Sequence, residues 1–246
     1  MKTVSIILPY FRKKKFINKT LKSILNQTYN IYEILIVYDD ENKNELKNLT
    51  KITNNNKKIK ILVNKKNIGA GESRNRAIKV AKGEYIAFLD ADDIWKKDKL
   101  KKQMFFMVKN NYKITHTSYQ IMNDQNKIIG KRIAKDLTFK DLFKSCDIGL
   151  STVIIQKKIL KHFRFAKLKT KEDYVLWLKL AQKGHIFFGL DDCLVSWKLS
   201  NNSLSSSVIR KHIDGYKVYR YYLNKSIIES FLSLIVLSIN YLKKNV

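Results

Sequence analysis

The feature that most constrains this chain is a set of nearly unbroken apolar runs, "VSIIL" (4–8), "ILIV" (34–37) and "YIAFL" (85–89). Successive strand residues point to opposite sides, so a strand apolar at consecutive positions buries both faces. Between these runs the spacing changes. "FINKTLKSILNQ" (16–27) sets Phe16, Ile17, Leu21, Ile24 and Leu25 at helical intervals. "NELKNLTKIT" (44–53) reads as a helix, "KIKILVN" (58–64) as a strand, and "GESRNRAIKVAK" (71–82) as a helix closed by Gly83. Strands alternating with helices require right-handed crossovers and a mostly parallel sheet. The fold class is therefore α/β, and ligands of such sheets bind beyond the carboxyl ends of the strands.

The second half is less regular. "KLKKQMFFMVKN" (99–110) reads as a helix, and "KITHTSYQIMN" (113–123) and "KIIGKRIA" (127–134) as strands around an "NDQN" turn. "STVIIQKKIL" (151–160) joins a strand to a helix, "EDYVLWLKLAQKG" (172–184) is an amphipathic helix stopped by Gly184, and "HIFFGL" (185–190) is a strand. "NNSLSSS" (201–207) is either a loop that closes over a ligand or a polar connection. Helix follows from about Ser205. No linker rich in Pro, Gly or Ser divides the chain. The expected organisation is one domain over 1–205, with a nucleotide-binding half (1–98), an acceptor-side half (99–205), and a helical extension over 206–246.

Composition narrows the function classes. A net charge of +28 over 246 residues points to anionic partners. Abundant Lys, Asn and Ile with a single proline, Pro9, is equally a bias of composition. Two cysteines without CxxC spacing exclude a disulfide scaffold or structural zinc and fit a reducing compartment. Met1 runs directly into a strand, so no signal peptide is expected. No zinc-finger or RNP-type aromatic pattern marks a nucleic-acid reader, and the histidines lack HExxH spacing. The apolar stretch "SIIESFLSLIVLSINYLKK" (226–244) has two readings. One is a helix packed on the domain or a subunit partner, which leaves a homo-oligomer open. The other is a helix lying on an anionic membrane surface.

The chemistry concentrates where the fourth strand ends, in "FLDADDIW" (88–95). Strand spacing puts Asp90 and Asp92 on one side. Like charges that close are costly unless a cation lies between them, and hard oxygen ligands suit Mn²⁺ or Mg²⁺. A second acid run, Asp39-Asp40-Glu41, follows the second strand. Asn67, Gly69, Gly71 and Arg74 open a helix. There, glycines let a ligand approach the backbone, and a helix N-terminus attracts anions. Arg74 suits a diphosphate, the carboxylates of the metal site, or a structural ion pair. A P-loop is absent.

These motifs, "SIILPYF", "INKTLKSILNQTY", "YEILIVYDD", "NIGAGESRNRAI", "GEYIAFLDADDIW", "EDYVLWLKLAQKG" and "SWKLSNNSLSS", stand in an order and spacing that resemble family 2 glycosyltransferases with the GT-A fold, over roughly residues 3 to 207. Within that family the chain is similar to transferases of bacterial surface polysaccharides, of the teichuronic-acid type. The resemblance implies a Rossmann-like sheet, a nucleotide-sugar donor (UDP-linked by preference), a saccharide or lipid-linked acceptor, Mn²⁺ or Mg²⁺, and inversion at the anomeric carbon. It implies a donor site of Pro9, Tyr10, Asp39 or Asp40, Asn67, Gly69, Arg74, Asp90, Ala91, Asp93 and Lys198. Asp92 and Asp90 become metal ligands and Asp173 the catalytic base, at a cytoplasmic site that extends to the inner face of the membrane. The chain departs from the pattern at Tyr38-Asp39-Asp40-Glu41, where the family favours Asp-Asp-Gly-Ser, and at Arg12, where an Asn is usual. Read without the resemblance, Asp173 is an acid favoured by a helix macrodipole. A metal-dependent nucleotidyltransferase and a basic nucleic-acid binder are the alternatives. The basic run 12–15 lacks the glycines that the former needs.

Overall fold

The computed structural model describes residues 2–53, 56–199 and 207–243. The apolar runs form β1 (Val4–Tyr10), β2 (Glu33–Tyr38), β3 (Ile59–Val63) and β4 (Tyr85–Phe88), in the parallel order β3-β2-β1-β4. Period-two alternation explains their continuous hydrophobicity. Ile7, Leu35, Val37, Ile86 and Phe88 point into one core, against α3 (Ala70–Val80) and α6 (Glu172–Gln182). Ile6, Leu8, Ile34, Ile36 and Ala87 point into another, against α1 (Lys14–Leu25), α2 (Lys43–Thr53) and α4 (Lys99–Lys109). β1, β2 and β4 are covered on both faces and β3 is the half-exposed edge; the few polar residues among them are paired, Ser5 donating to Glu33 at 2.8 Å and Lys60 meeting Glu33 at 2.9 Å.

Beyond β4 the sheet continues through β8 (Ile154–Gln156), β6 (Ile114–Met122) and β9 (Phe188–Lys198), and ends on the two-residue β5 (Ile94–Trp95). β8 runs antiparallel to both β4 and β6, whereas β6 and β9 pair in parallel. β7 (Ile128–Arg132) pairs with β6 alone. One sheet therefore passes through both halves of the chain. Trp177 sits at the centre of the α6 core, fully buried among Phe88, Phe165 and Phe187, which makes it a packing residue as its helical position suggests.

The second half departs from expectation in several places. The strand expected over 185–190 begins at Phe188 and runs on to Lys198, pairing with β6 along its whole length and with β5 on its other side at Val195 and Ser196. Residues 157–162 form a 3-10 helix rather than an α-helix. The short α5 (Phe139–Lys144) escaped the sequence reading, although Thr138 and Asp141 form a capping box at its start. The C-terminal part forms α7 (Val208–Lys217), a π-helical turn at Val218–Tyr222, and α8 (Ile227–Leu242).

Candidate active site

In this order the chain leaves β1 toward β2 on one side and β4 lies on the other. The loops after β1 and β4 thus open a crevice at the carboxyl ends of the strands. The turn after β4 is anchored from both sides. Thr20 donates to the Ala91 carbonyl at 3.0 Å, and Lys13, from the loop after β1, places Nζ 2.5 Å from Asp92 Oδ2. Burial pushes the Asp92 carboxyl up, the Lys13 ammonium pulls it down, and the neighbouring Asp90 charge adds to the rise. Asp90 is the most open of the three acids, and Arg74 Nη2 lies 2.6 Å from it. Asp93 turns inward. It accepts from the Ser151 hydroxyl and from the Lys198 backbone N–H at 2.9 Å, and burial together with Asp92 and Asp90 raises it well above its usual range.

Arg74 is the hub. Its guanidinium, 3 % exposed, donates to Asp90 on one side and to Glu172 at 2.7 Å on the other, and lies over the Phe165 ring. Of the meanings open in the sequence, the carboxylate-bridging one is the arrangement found. Lys171 adopts a left-handed conformation, φ 61°, and so presents Glu172 and Asp173 at the start of α6. Gly71 allows α3 to come this close: a Cβ there would stand 2.8 Å from the Ala166 carbonyl and 3.1 Å from Glu172 Cγ. Burial pushes Glu172 up to about 7, against the pull of Arg74 and with a push from Asp173. Burial raises Asp173 as well, again opposed by Arg74. Asp173 Oδ1 accepts from the Tyr174 N–H at 2.7 Å, and its other oxygen has no hydrogen-bond donor among the described residues. Glu172 is tied to Arg74, so Asp173 is the acid with an oxygen left to accept a proton.

The acids after β2 are held differently. Asp39 accepts from Asn64 Nδ2 at 2.7 Å and from the backbone N–H groups of Ile68 and Gly69, both at 2.8 Å. Asn67 adds a bond from its amide to the Asp39 carbonyl. Asp40 pairs with Arg12 at 3.0 Å and accepts from the Glu41 N–H. Asp39 thus organises the loop into α3, and Asp40 is the acid nearer solvent-facing charge. Asn67 and Gly69 reach the site through this loop rather than from its floor.

Other candidate residues are placed unevenly. Pro9 is partly exposed at the end of β1. Tyr10 lies beneath the crevice, 1 % exposed, with its hydroxyl on Glu45 at 2.6 Å and its ring stacked on Tyr38. Ala91 is buried. Lys198 holds its ammonium 4.4 Å over the Phe16 ring, in a cavity of about 80 Å³ lined also by Lys15, Lys19 and Asp92. Trp95 donates its indole N–H to the Ser151 carbonyl and is 2 % exposed, so it packs rather than walls a pocket. His116, buried and bonded to the Lys135 carbonyl, is pushed by burial down to about 4 and stays a neutral core residue. Residues 201–206 of the "NNSLSSS" loop lie outside the described residues. Sequence reading missed Lys13 and Ser151. The signal for Lys13 was its position directly after the first strand, where loops face the ligand.

The residues fit a hard divalent cation. Asp90 and Asp92 offer two carboxylates, each currently neutralised by a cationic side chain, and Asp93 points away. Among the described residues no three His, Cys, Asp or Glu side chains form a closed metal cluster. The carboxylate pair is the donor set that Mg²⁺ or Mn²⁺ takes, being held by one or two carboxylates and completed by substrate phosphates and water.

The Glycosyl transferase family 2 profile matches residues 5–168. The chain belongs to this family. A Bacillus subtilis (strain 168) glycosyltransferase named for teichuronic acid biosynthesis, TuaG, is 34 % identical over 222 residues, which cover 88 % of this chain and 87 % of that protein. The Escherichia coli UDP-Glc:alpha-D-GlcNAc-diphosphoundecaprenol beta-1,3-glucosyltransferase WfgD is 36 % identical over 210 residues, 85 % of this chain and 81 % of that one. S. aureus TarS 1-349 in complex with UDP-GlcNAc superposes with a TM-score of 0.73 at 22 % identity, over 95 % of this chain and 70 % of that one. The mannosyltransferase PcManGT of Pyrobaculum calidifontis, solved with GDP-Man and Mn2+, gives a TM-score of 0.70 at 13 % identity, over 94 % and 69 %. The family 2 glycosyltransferase described here therefore has the GT-A fold.

Proposed function

We propose that this glycosyltransferase moves a sugar from a UDP-sugar to a lipid-linked saccharide of a cell-surface polysaccharide, with inversion at the anomeric carbon. The observation that carries the reading is the Arg74 fork. One guanidinium joins Asp90, on the donor side of the crevice, to Glu172, beside Asp173. The candidate leaving-group site and the candidate base are thereby fixed relative to each other, as an in-line displacement requires. The relatives named for a UDP-Glc donor and a diphosphoundecaprenol acceptor supply the substrate classes.

Asp92 and Asp90 would hold a divalent cation, which when bound offsets the charge that grows on the departing diphosphate. Lys13 shifts from Asp92 toward the phosphates, and Lys198 adds positive charge from the cavity beside it. Asp40, paired with the exposed Arg12, takes the base or ribose contact, and Asp39 shapes the loop that Asn67 and Gly69 contribute. Asp173 accepts the proton of the attacking acceptor hydroxyl through its free oxygen. The reaction runs on the cytoplasmic side of a membrane, where the donor is soluble and the acceptor is embedded.

The test is transfer from a panel of UDP-sugars to a diphosphoundecaprenol-linked sugar with Mn²⁺, Mg²⁺ or EDTA, and NMR of the new linkage. An inverted linkage that forms only with the cation is expected. Retention, or full activity in EDTA, sinks the mechanism.

A further inference from the structure

The last two helices turn much of their apolar surface outward. The face of α8 that meets the domain is narrow. Ser230 and Leu237 are buried, and Asn240 donates to the Lys144 carbonyl at 3.0 Å. The outward face carries Ile228 (73 % exposed), Phe231 (59 %), Leu232 (55 %), Ile235 and Ile239, with no charge among them. Ser233 and Asn240 are half-buried toward the protein, while Ser226 stays exposed at the start of the helix. α7 continues the apolar surface with Ile209 and Ile213, 75 % and 51 % exposed. Gly215 brings the two helices together, since a Cβ there would stand 2.9 Å from Leu234 Cδ1.

We infer that this α7–α8 face docks on an anionic lipid bilayer and lies flat in its interface. Contiguous exposed apolar surface of this kind marks an interaction site. The 16 residues of α8 span about 24 Å at the helical rise, short of the ~30 Å hydrocarbon core. No helix among the described residues is long and apolar enough to cross a membrane. An apolar face with basic flanks instead lies along the surface.

Charge selects the partner. Residues 207–243 contain six Lys or Arg and two acids, Asp214 and Glu229. Both acids are engaged, Asp214 buried on Thr170 and Glu229 in the Ser226 capping box beside Lys225. Lys217 and Lys225 are half-exposed beside those same acids, so the net positive charge of the segment rests on Arg210, Lys211, Arg220 and Lys243. A second copy meeting this face would set cations against cations, whereas anionic headgroups complement them.

The face is also tied to the candidate site. Asp214 accepts from the Thr170 N–H at 3.0 Å and from its hydroxyl at 2.9 Å, and Tyr219 and Tyr174 join hydroxyls at 3.1 Å. Docking is independent of the transfer reading. That it brings a bilayer-embedded acceptor toward Asp173 rests on that reading.

The experiment is co-sedimentation of the full chain with phosphatidylglycerol/phosphatidylcholine vesicles and with phosphatidylcholine alone. Binding to the anionic vesicles, weaker on the neutral ones and in high salt, is expected. The triple variant Phe231→Ser, Leu232→Ser, Ile235→Ser, with a circular dichroism spectrum unchanged, is expected to lose about tenfold or more in partition. Lys217→Gln with Lys225→Gln, which leaves the apolar face intact, is expected to weaken binding to anionic vesicles only. The inference is overturned if the parent chain does not sediment, or if the triple variant sediments like it. It is equally overturned if the parent is a dimer that ignores vesicles and that the triple variant converts to a monomer, since the face then joins two copies.

Discussion

After β2 the chain reads Asp39-Asp40, and after β4 it reads Asp90-Ala91-Asp92-Asp93. Both runs end parallel strands on the same edge of the sheet, yet Asp39 and Asp92 are neutralised by different means. Asp39 is held by two backbone N–H groups and the Asn64 amide, none of which can leave without unfolding the loop. Asp92 is held by the ammonium of Lys13, at the end of a flexible stem, and Asp90 by a guanidinium. An acid fixed by main chain shapes the fold. An acid fixed by a side-chain cation can exchange that cation for another. Only the second arrangement suits the proposed uptake of a metal and a diphosphate together.

The contrast is broken most directly at Asp92. Asp92→Asn should cut transfer by about 10²–10³-fold, the size of a lost transition-state contact, and abolish the calorimetric signal of Mn²⁺ with UDP. Wild-type titration in that variant would make the acids after β4 as structural as Asp39.

Asp173→Asn sharpens the assignment of the base, and pH tests it independently. Donor affinity should survive the substitution while turnover falls by about 10²-fold or more. Burial raises Asp173 above the ordinary carboxylate range, and Glu172 beside it is raised to about 7. The rate should climb with pH as Asp173 loses its proton and then level, as for a single essential deprotonation, with the limb displaced upward from that of an ordinary aspartate. Glu172→Gln, which removes the charge next to Asp173, should move that limb to lower pH. A flat profile from pH 5 to 8, about two units below neutrality to about one above, would falsify the role of the pair. The same raised value has a stability counterpart. The folded chain keeps a proton on Glu172 that the unfolded chain releases above about 4.5, so this contribution is full below 4.5 and is lost as pH rises through about 7.

At Asp39 the expected effect is on folding. Asp39→Asn leaves one of the two backbone donors poorly paired and should cost about 1–3 kcal/mol, visible as a lower Tm, with cation dependence of transfer unchanged. The smallest effect belongs to Arg12→Ala. Its pairing with Asp40 is largely solvated, with the Arg12 side chain 70 % exposed, so stability should change by less than about 1 kcal/mol. A loss of UDP affinity in that variant would show that Arg12 orients Asp40 for the nucleotide.

The first half of the fold was legible because each element announces itself locally. "ILIV" and "YIAFL" leave no polar face, and Gly83 and Pro9 punctuate their neighbours. The acids after β4 were legible for the same reason, since a polar run at the end of a buried strand has few structural uses. The partners of those acids were not legible. Lys13 is one of four consecutive basic residues, and only the sheet order brings it across the crevice to Asp92. Arg74 was visible as a residue but not as a bridge, because Glu172 lies 98 positions away. The extent of β9 was hidden because register shifts on either side of Ser118 interrupt its ladder with β6. The orientation of α8 was not legible, since periodicity reveals that a helix has two faces but not which one meets the protein.

Arg74 makes the two halves of the chain a matched set. Its guanidinium spans from the turn after β4 to the first residue of α6, and its reach is fixed by covalent geometry. A chimaera that took the segment after β4 from a different family 2 enzyme would inherit a new acceptor preference. It could work only where the graft carries an acid at the place of Glu172 that fits against the retained Arg74 and Gly71, like two gear wheels cut to one pitch.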